Sequence, residues 1–294
     1  MPSIQEIRAE TAKEFWEYLS PENRLFNEPC QLIYRGQRDA NWGLEPSLFR
    51  EPHKPKGIAN RSTVTSDFHM FQELRMLQQF VEYCDAIGIA LPGDSSQFRK
   101  EHLDHTSSAL DRYIKKPYDW PNPALYELLA LAQHYGLPTR LLDWSTRSFI
   151  AAYFAASSAL IHAFKPENKH KRLVVWILNI EMKNLYREDL DIVRVPSGYN
   201  RNISSQAGCF SILRQKALRQ EPFEGTHLLN EYFEDEPEPP LCKVTAPISE
   251  ANKILELCKL YGVTAATIYP DLYGAAKAVV DDTHRWRWYE HQRG

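Results

Sequence analysis

Three runs of the sequence combine groups that bind or polarise a ligand with residues that bend the backbone. The first is Tyr34-Arg35-Gly36-Gln37, followed by Trp42, Pro46, Ser47 and Arg50. The second is Gln133-His134-Tyr135-Gly136-Leu137-Pro138-Thr139-Arg140-Leu141-Leu142-Asp143-Trp144-Ser145, which continues to Ser148. The third is Gln206-Ala207-Gly208-Cys209-Phe210, with a weaker echo in Tyr269-Pro270-Asp271-Leu272-Tyr273-Gly274. An arginine ending an apolar strand beside a glycine can fork two donors onto phosphate or ribose oxygens, and the glycine lets a ligand approach the backbone. A carboxylate at Asp143, an imidazole at His134 and a hydroxyl at Ser145 are groups that stabilise a developing cation, move a proton or hold a sugar hydroxyl. Tyr34, Trp42 and Trp144 offer planes on which an aromatic ring can stack.

Each feature also has a plainer reading. Arg35 can pair with Asp143 or Asp39 as a structural arginine. His134, at the end of an apolar helix, can satisfy the last carbonyls. Asp143 can be the N-cap of a helix starting near Ser145 or Thr146. The aromatics can be ordinary core. The terminal Trp286-Arg287-Trp288-Tyr289 is either a stacking patch or a segment that folds back and packs. The run from 234 to 240, rich in acids and prolines, reads as a solvated loop.

The elements that must position these groups are of both kinds. Residues 4 to 19 read as an amphipathic helix on Ile4, Ile7, Phe15, Trp16 and Leu19, with an imperfect period before Thr11. Helical spacing returns from Ser66, where Ser66 or Asp67 can cap, to near Gly88. Residues 123 to 135 are apolar all round, as in a buried helix, and Gly136 and Pro138 stop it. An alanine-rich helix follows over 149 to 160, then a charged linker from 165 to 172. Strands are expected around 31 to 36, 140 to 144, 173 to 180, 207 to 213, 241 to 246 and 263 to 269, with a short one near 192 to 195. Further helices are expected from Ser249, as its cap, to Tyr261 and onward from Asp271. The fold class is therefore α+β, a mixed or antiparallel central sheet with helices packed beside it.

Composition sets outer bounds. The 294 residues suit one large or two modest domains, and 43% hydrophobic with 25% charged content is ordinary for a globular protein. A net charge of -3 excludes a basic nucleic-acid coat, though not a local site. Cys30, Cys84, Cys209, Cys242 and Cys258 are scattered with no C-x-x-C pair, which points to a reducing compartment and away from zinc. The start, Met1-Pro2-Ser3-Ile4, has no basic segment leading into an apolar run, so a cytoplasmic protein without membrane contact is expected. No carboxylate and histidine cluster has metal-ligand spacing, so no metal is expected and a nuclease ranks last.

The three runs, in this order and at these separations, resemble the FRG domain, whose aromatic-Arg-Gly signature reads Tyr34-Arg35-Gly36 here. The resemblance extends from about residue 25 to 282, with a helical insertion over 60–135, an N-terminal helix over 1–24 and a C-terminal tail over 283–294. A more distant resemblance, to ADP-ribosyltransferases of the Arg-Ser-Glu type, implies the core of that fold and a chemistry. Arg35 and Ser145 match the arginine and serine of that pattern. The arginine would clamp NAD through pyrophosphate or ribose oxygens, and the serine would hold the nicotinamide-side ribose or order the arginine. Tyr34, Gly36, Gln37, Trp42, Trp144 and Ser148 would complete the NAD surface, with NAD as substrate. Where the glutamate would fall the chain has Gln206, so Asp143, or failing it Asp271, would have to supply the carboxylate, with His134 beside it. The resemblance implies transfer of ADP-ribose to a macromolecular acceptor, nucleic acid among the candidates, by a toxin or phage-defence effector restrained by an antitoxin or regulator. The alternative is a non-catalytic module that binds a nucleotide or nucleic acid.

Overall fold

The computed structural model describes residues 4–23, 25–26, 30–50, 65–104, 108–163, 168, 170–182, 186, 188–196, 205–214 and 228–293. The first half of the chain carries β1 (Gln5–Arg8), α1 (Ala12–Leu19), β2 (Leu32–Gln37), α2 (Ser66–Ala86), α3 (Ser96–His102), α4 (Ser108–Lys115), α5 (Tyr126–His134), β3 (Leu142–Ser145) and α6 (Ser148–Leu160). The second half carries β4 (Arg172–Asn179), β5 (Leu190–Val193), β6 (Gly208–Leu213), α7 (Leu229–Tyr232), β7 (Leu241–Pro247), α8 (Ala251–Leu260), α9 (Ala265–Ile268) and α10 (Leu272–Arg293). The seven strands form one mixed sheet in the order β1-β7-β4-β2-β3-β6-β5, in which only the β1–β7 pair is parallel. The α+β class expected from the pattern is the one observed.

β4 has the composition of a central strand, Leu-Val-Val-Trp-Ile-Leu, and all of these residues are buried. Strands covered on both faces read as continuous apolar runs rather than alternating ones. One face of the sheet is covered by α1, α6 and α8, and the other by a cluster of Ile33, Leu44, Trp144, Trp176, Tyr186 and Phe233. A third cluster joins α2, α4 and α5 to Phe210 and Ile212 of β6, so the helices of the 60–135 region pack beside the sheet. Residues 60–64 and 105–107 of that region, residues 51–59 before it, and residues 165–167 and 169 of the charged linker lie outside the described residues.

α6 approaches the sheet closely because its inner face is Ala151, Ala152, Ala155, Ala156 and Ala159, all buried. It crosses β2 at Gly36, where an added Cβ would stand 1.9 Å from the Ala151 carbonyl oxygen and 2.8 Å from the Ala155 nitrogen. The glycine of the Tyr-Arg-Gly run is required by helix packing. α5 ends as expected, with Gly136 at φ 93, a left-handed conformation that suits glycine.

Four local expectations are corrected. Residues 4 to 19 are not one helix: Gln5–Arg8 pair with Cys242–Thr245 as an edge strand, and the helix begins only after Thr11, whose side chain accepts from the Glu14 N–H. That is where the helical period becomes regular. Residues 263 to 269 are not a strand, because Thr264 and Thr267 form a reciprocal capping box that starts α9. The expected caps also move, for α2 follows Thr65 with no side-chain bond, and Ser249 lies in a short 3-10 turn before α8. The strand placed at 140 to 144 begins two residues later, at Leu142. The segment from 283 continues α10 as far as Arg293, with Trp286 exposed and Trp288 packed against the core. The acidic run from 234 is without helix or strand, as expected. Among the described residues no helix is long and apolar enough to cross a membrane.

Gly36→Ala is expected to lower the unfolding free energy by about 1–3 kcal/mol or more, as overpacking against backbone does. Denaturant titration of the variant beside the parent chain measures it, and an unchanged midpoint would mean that α6 can retreat from β2.

Candidate functional site

β2 and β3 pair at one register position, Tyr34 opposite Ser145, and then part. Across the gap the Arg35 side chain takes over from the backbone ladder: its Nη1 donates to the Asp143 carbonyl oxygen at 2.7 Å and approaches the Asp143 carboxylate at 3.4 Å. Asp143 is fixed from its other side by Gln133, whose Nε2 donates to Oδ1 at 2.6 Å, and the Thr139 hydroxyl donates in turn to the Gln133 amide oxygen. The second sequence run therefore folds back on itself, its first residue hydrogen-bonding both its seventh and its eleventh. Arg35 is mostly buried and Asp143 mostly exposed, so the pair's Coulomb energy is screened at the carboxylate end. Arg35 Nε is buried without a partner among the described residues.

Ser145 is buried at the end of β3. Its hydroxyl donates to the Gln206 carbonyl at 2.8 Å and accepts from the Arg147 N–H at 3.0 Å, so it orders the turn into α6 rather than Arg35. The backbone arrives there through Ala207, at φ 47, a left-handed residue that is not glycine. Its carbonyl accepts from the Thr146 N–H at 3.0 Å. Strained residues of this kind concentrate where the surroundings dictate them.

Where the strands part, a cavity of about 660 Å³ opens, within the range of small-molecule sites. Tyr34, Arg35 and Gly36 form one wall, Asp143, Trp144 and Ser145 a second, and His134 and Gln206 border it. Eight of the candidate residues thus share one cavity although up to 172 positions separate them. Three do not line it. Gln37 is buried under the sheet, donating to the Gly43 carbonyl and accepting from the Trp176 indole. Trp42 lies outside, beneath the Arg38 guanidinium at 4.6 Å. Ser148 donates to the Leu19 carbonyl at 2.6 Å. Trp144 touches the cavity, but its indole is buried and donates to Ser211, so it offers no free plane for stacking.

The remaining wall comes from residues not singled out as site residues: Phe154 and Ser158 of α6, with Tyr269 and Tyr273, whose rings meet edge to face at 5.4 Å. The signals existed. Ala151, Phe154 and Ser158 are spaced 3 and 4 along a helix and so share a face, and the two tyrosines frame the echo at 269–274. Burial pushes the Tyr34 and Tyr269 hydroxyls up to about 12, so both are neutral donors at physiological pH. Asp143 is no helix cap, since α6 starts after Arg147 without a side-chain cap bond. Asp271 is the one with a capping role: its carboxylate accepts from the Gly274 N–H at 2.8 Å, inside the first turn of α10, and it does not line the cavity.

Residues 30–163 match the FRG domain. No curated protein and no solved structure matches the chain. The FRG segment runs from the start of β2 to the end of α6 and so contains Arg35, His134, Asp143 and Ser145 with the α6 wall. Gln206 and the Tyr269–Tyr273 pair come from beyond it, so the cavity is completed by the C-terminal half of the chain.

Loss of solvent around the His134 ring holds its pKa below the ordinary imidazole value, while the Asp271 and Asp143 carboxylates act in the opposite direction. Asp143→Asn removes one of the opposing charges. The His134 titration followed by NMR is therefore expected to start below 6.5 and to fall further in Asp143→Asn; a rise in that variant would show that the two side chains do not share the cavity.

Proposed function

We propose that the cavity binds NAD and that the chain is an ADP-ribosyltransferase-like enzyme, transferring ADP-ribose to a macromolecular acceptor with nucleic acid as a candidate class. The observation that carries this reading is the convergence of Arg35, Asp143 and Ser145 on one cavity at the point where β2 and β3 part. Arg35 Nε is buried and finds no partner among the described residues, a cost that a small shift of the side chain onto a phosphate or ribose oxygen would relieve. In the reaction the bond between nicotinamide and ribose breaks, nicotinamide leaves with the electron pair, and the acceptor nucleophile adds at the same carbon and gives up its proton. Positive charge builds on the ribose meanwhile, and a fixed carboxylate beside it is the group that lowers the barrier. Asp143 is that carboxylate in this reading, held by Arg35 and Gln133 before any ligand arrives. The ADP-ribosyltransferase-like core, a cytoplasmic role as a toxin or phage-defence effector, and restraint by an antitoxin or regulator belong to the same proposal, and rest on the resemblance.

The second reading is a binding module without turnover. It is favoured by the composition of β6, Gly-Cys-Phe-Ser-Ile-Leu, which carries no carboxylate. Incubating the purified chain with NAD and following nicotinamide release separates the two. On the enzymatic reading release occurs, and Asp143→Asn keeps fold and NAD affinity while the rate falls roughly a hundredfold, the scale of losing one key electrostatic group. NAD binding with no release from the parent chain would leave the module.

Arg35→Lys addresses the clamp itself. A point charge cannot reproduce a planar fork, so NAD affinity measured by calorimetry is expected to fall in Arg35→Lys nearly as far as in Arg35→Ala. Full affinity in a folded Arg35→Lys chain would remove the arginine from the binding surface.

A further inference from the structure

A second cavity, of about 620 Å³, lies back to back with the first. Tyr34 lines both, and at four places one residue step separates their walls: Ser145 from Thr146, Gln206 from Ser205, Ile150 from Ala151, and Ile268 from Tyr269. The two adjoin at Tyr34 as neighbouring compartments. The chemistry of the second compartment is distinct. Arg147 is the charged side chain on its wall, exposed, and with no carboxylate partner among the described residues. Tyr261 stands nearby with most of its ring exposed, tilted against Trp16 at 5.0 Å and Phe149 at 5.5 Å, while Trp16 and Phe149 stack at 3.9 Å. The stacked pair holds Tyr261 in place, so the exposed ring is a platform rather than a loose side chain. Hydroxyls of Thr146 and Thr267 complete the polar side.

A guanidinium without a carboxylate partner among the described residues and an aromatic platform, lining one cavity, suit a planar ring joined to a phosphate, because aromatic faces accept any base and arginine pairs with phosphate oxygens. We propose that this second compartment binds a nucleoside monophosphate unit, with Arg147 on the phosphate and Tyr261 under the base. That chemistry is shared by the nucleotide half of a dinucleotide reaching past Tyr34 and by a nucleotide of an acceptor strand. The site stands whether or not the first compartment performs transfer.

The test is calorimetric titration of the full chain with AMP. Saturable binding is expected, weakened about tenfold by Arg147→Ala and about tenfold by Tyr261→Ala, the scale of one stacking or charge-assisted contact. Both positions are exposed, so both variants should keep the parent's circular dichroism. Adenosine is expected to bind more weakly than AMP and to be indifferent to Arg147→Ala. Arg35→Ala is expected to retain AMP binding even if NAD binding fails, which keeps this site separable from the reading of the first cavity. Displacement of AMP by NAD assigns the site to the dinucleotide; AMP and NAD bound together, with AMP displaced by a short single-stranded oligonucleotide, assigns it to an acceptor. No AMP binding at millimolar concentration, or binding that either folded variant leaves unchanged, overturns the proposal.

Discussion

The geometry of the site depends on one close approach, the backbone of α6 lying on Gly36 of β2. With the Ala151 carbonyl 1.9 Å from where a Cβ would be, no other residue fits without moving the helix. Because α6 cannot lift, its start at Ser148 is set against the end of β3 only three positions earlier, and Phe154 and Ser158 are aimed past Tyr34 into the first cavity. The same contact fixes Arg35. Its neighbour is pinned under the helix, so the guanidinium has one direction to extend, across the gap toward β3, where it meets Asp143.

A second constraint comes from the helices beside the sheet. Arg140 and Glu73 are both almost fully buried, the carboxylate accepting from the Arg140 backbone N–H at 2.9 Å and from the Trp120 indole at 2.7 Å. Breaking such a pair by removing one partner costs about 3–5 kcal/mol, so α2 and the 120 region hold the segment between α5 and β3 firmly. Thr139 lies in that segment and Gln133 in the last turn of α5, and together they orient Asp143. A carboxylate at the surface of the groove thereby inherits its position from a buried ion pair one layer deeper.

Much of this was legible from residues alone, and the reasons differ by element. The run from Gln133 to Ser145 is locally encoded: its glycine, proline and polar residues fold onto one another, so a sequence reading finds it as a unit. Arg35 and Ser145 were recognisable because strand ends beside glycine or a helix start are where side chains meet ligands. Tyr269 and Tyr273 were not, because the Val-Thr-Ala-Ala-Thr-Ile-Tyr stretch before them has strand composition, and only the Thr264–Thr267 bonds decide for a turn of helix. Ile4 and Ile7, three apart, read as one helical face, whereas here they pack into different core clusters, and the parallel partner that makes Gln5–Arg8 a strand lies more than two hundred residues away. Gln37, Trp42 and Ser148 had suitable chemistry and the right neighbours, but alternation along β2 turned Gln37 to the opposite face from Gly36.

The place where a glutamate was looked for has a different use in this chain. Ala207 accepts a left-handed backbone, at a cost of order 1–3 kcal/mol for a residue with a side chain, and in return two successive carbonyls, of Gln206 and Ala207, reach Ser145 and Thr146. The entry of β6 thus ties down the end of β3 instead of offering a charge. Ser145 has one donor and two acceptor sites; the donor is spent on Gln206 and one acceptor on Arg147, which leaves a single lone pair. Ser145 therefore accepts one further hydrogen bond but has no proton to give a ligand. Arg35 only donates, and Asp143 when ionised only accepts. A ligand that satisfies all three must bring an acceptor to Arg35 and hydrogen-bond donors to Ser145 and Asp143, a requirement that a sugar diol carried beside a phosphate meets.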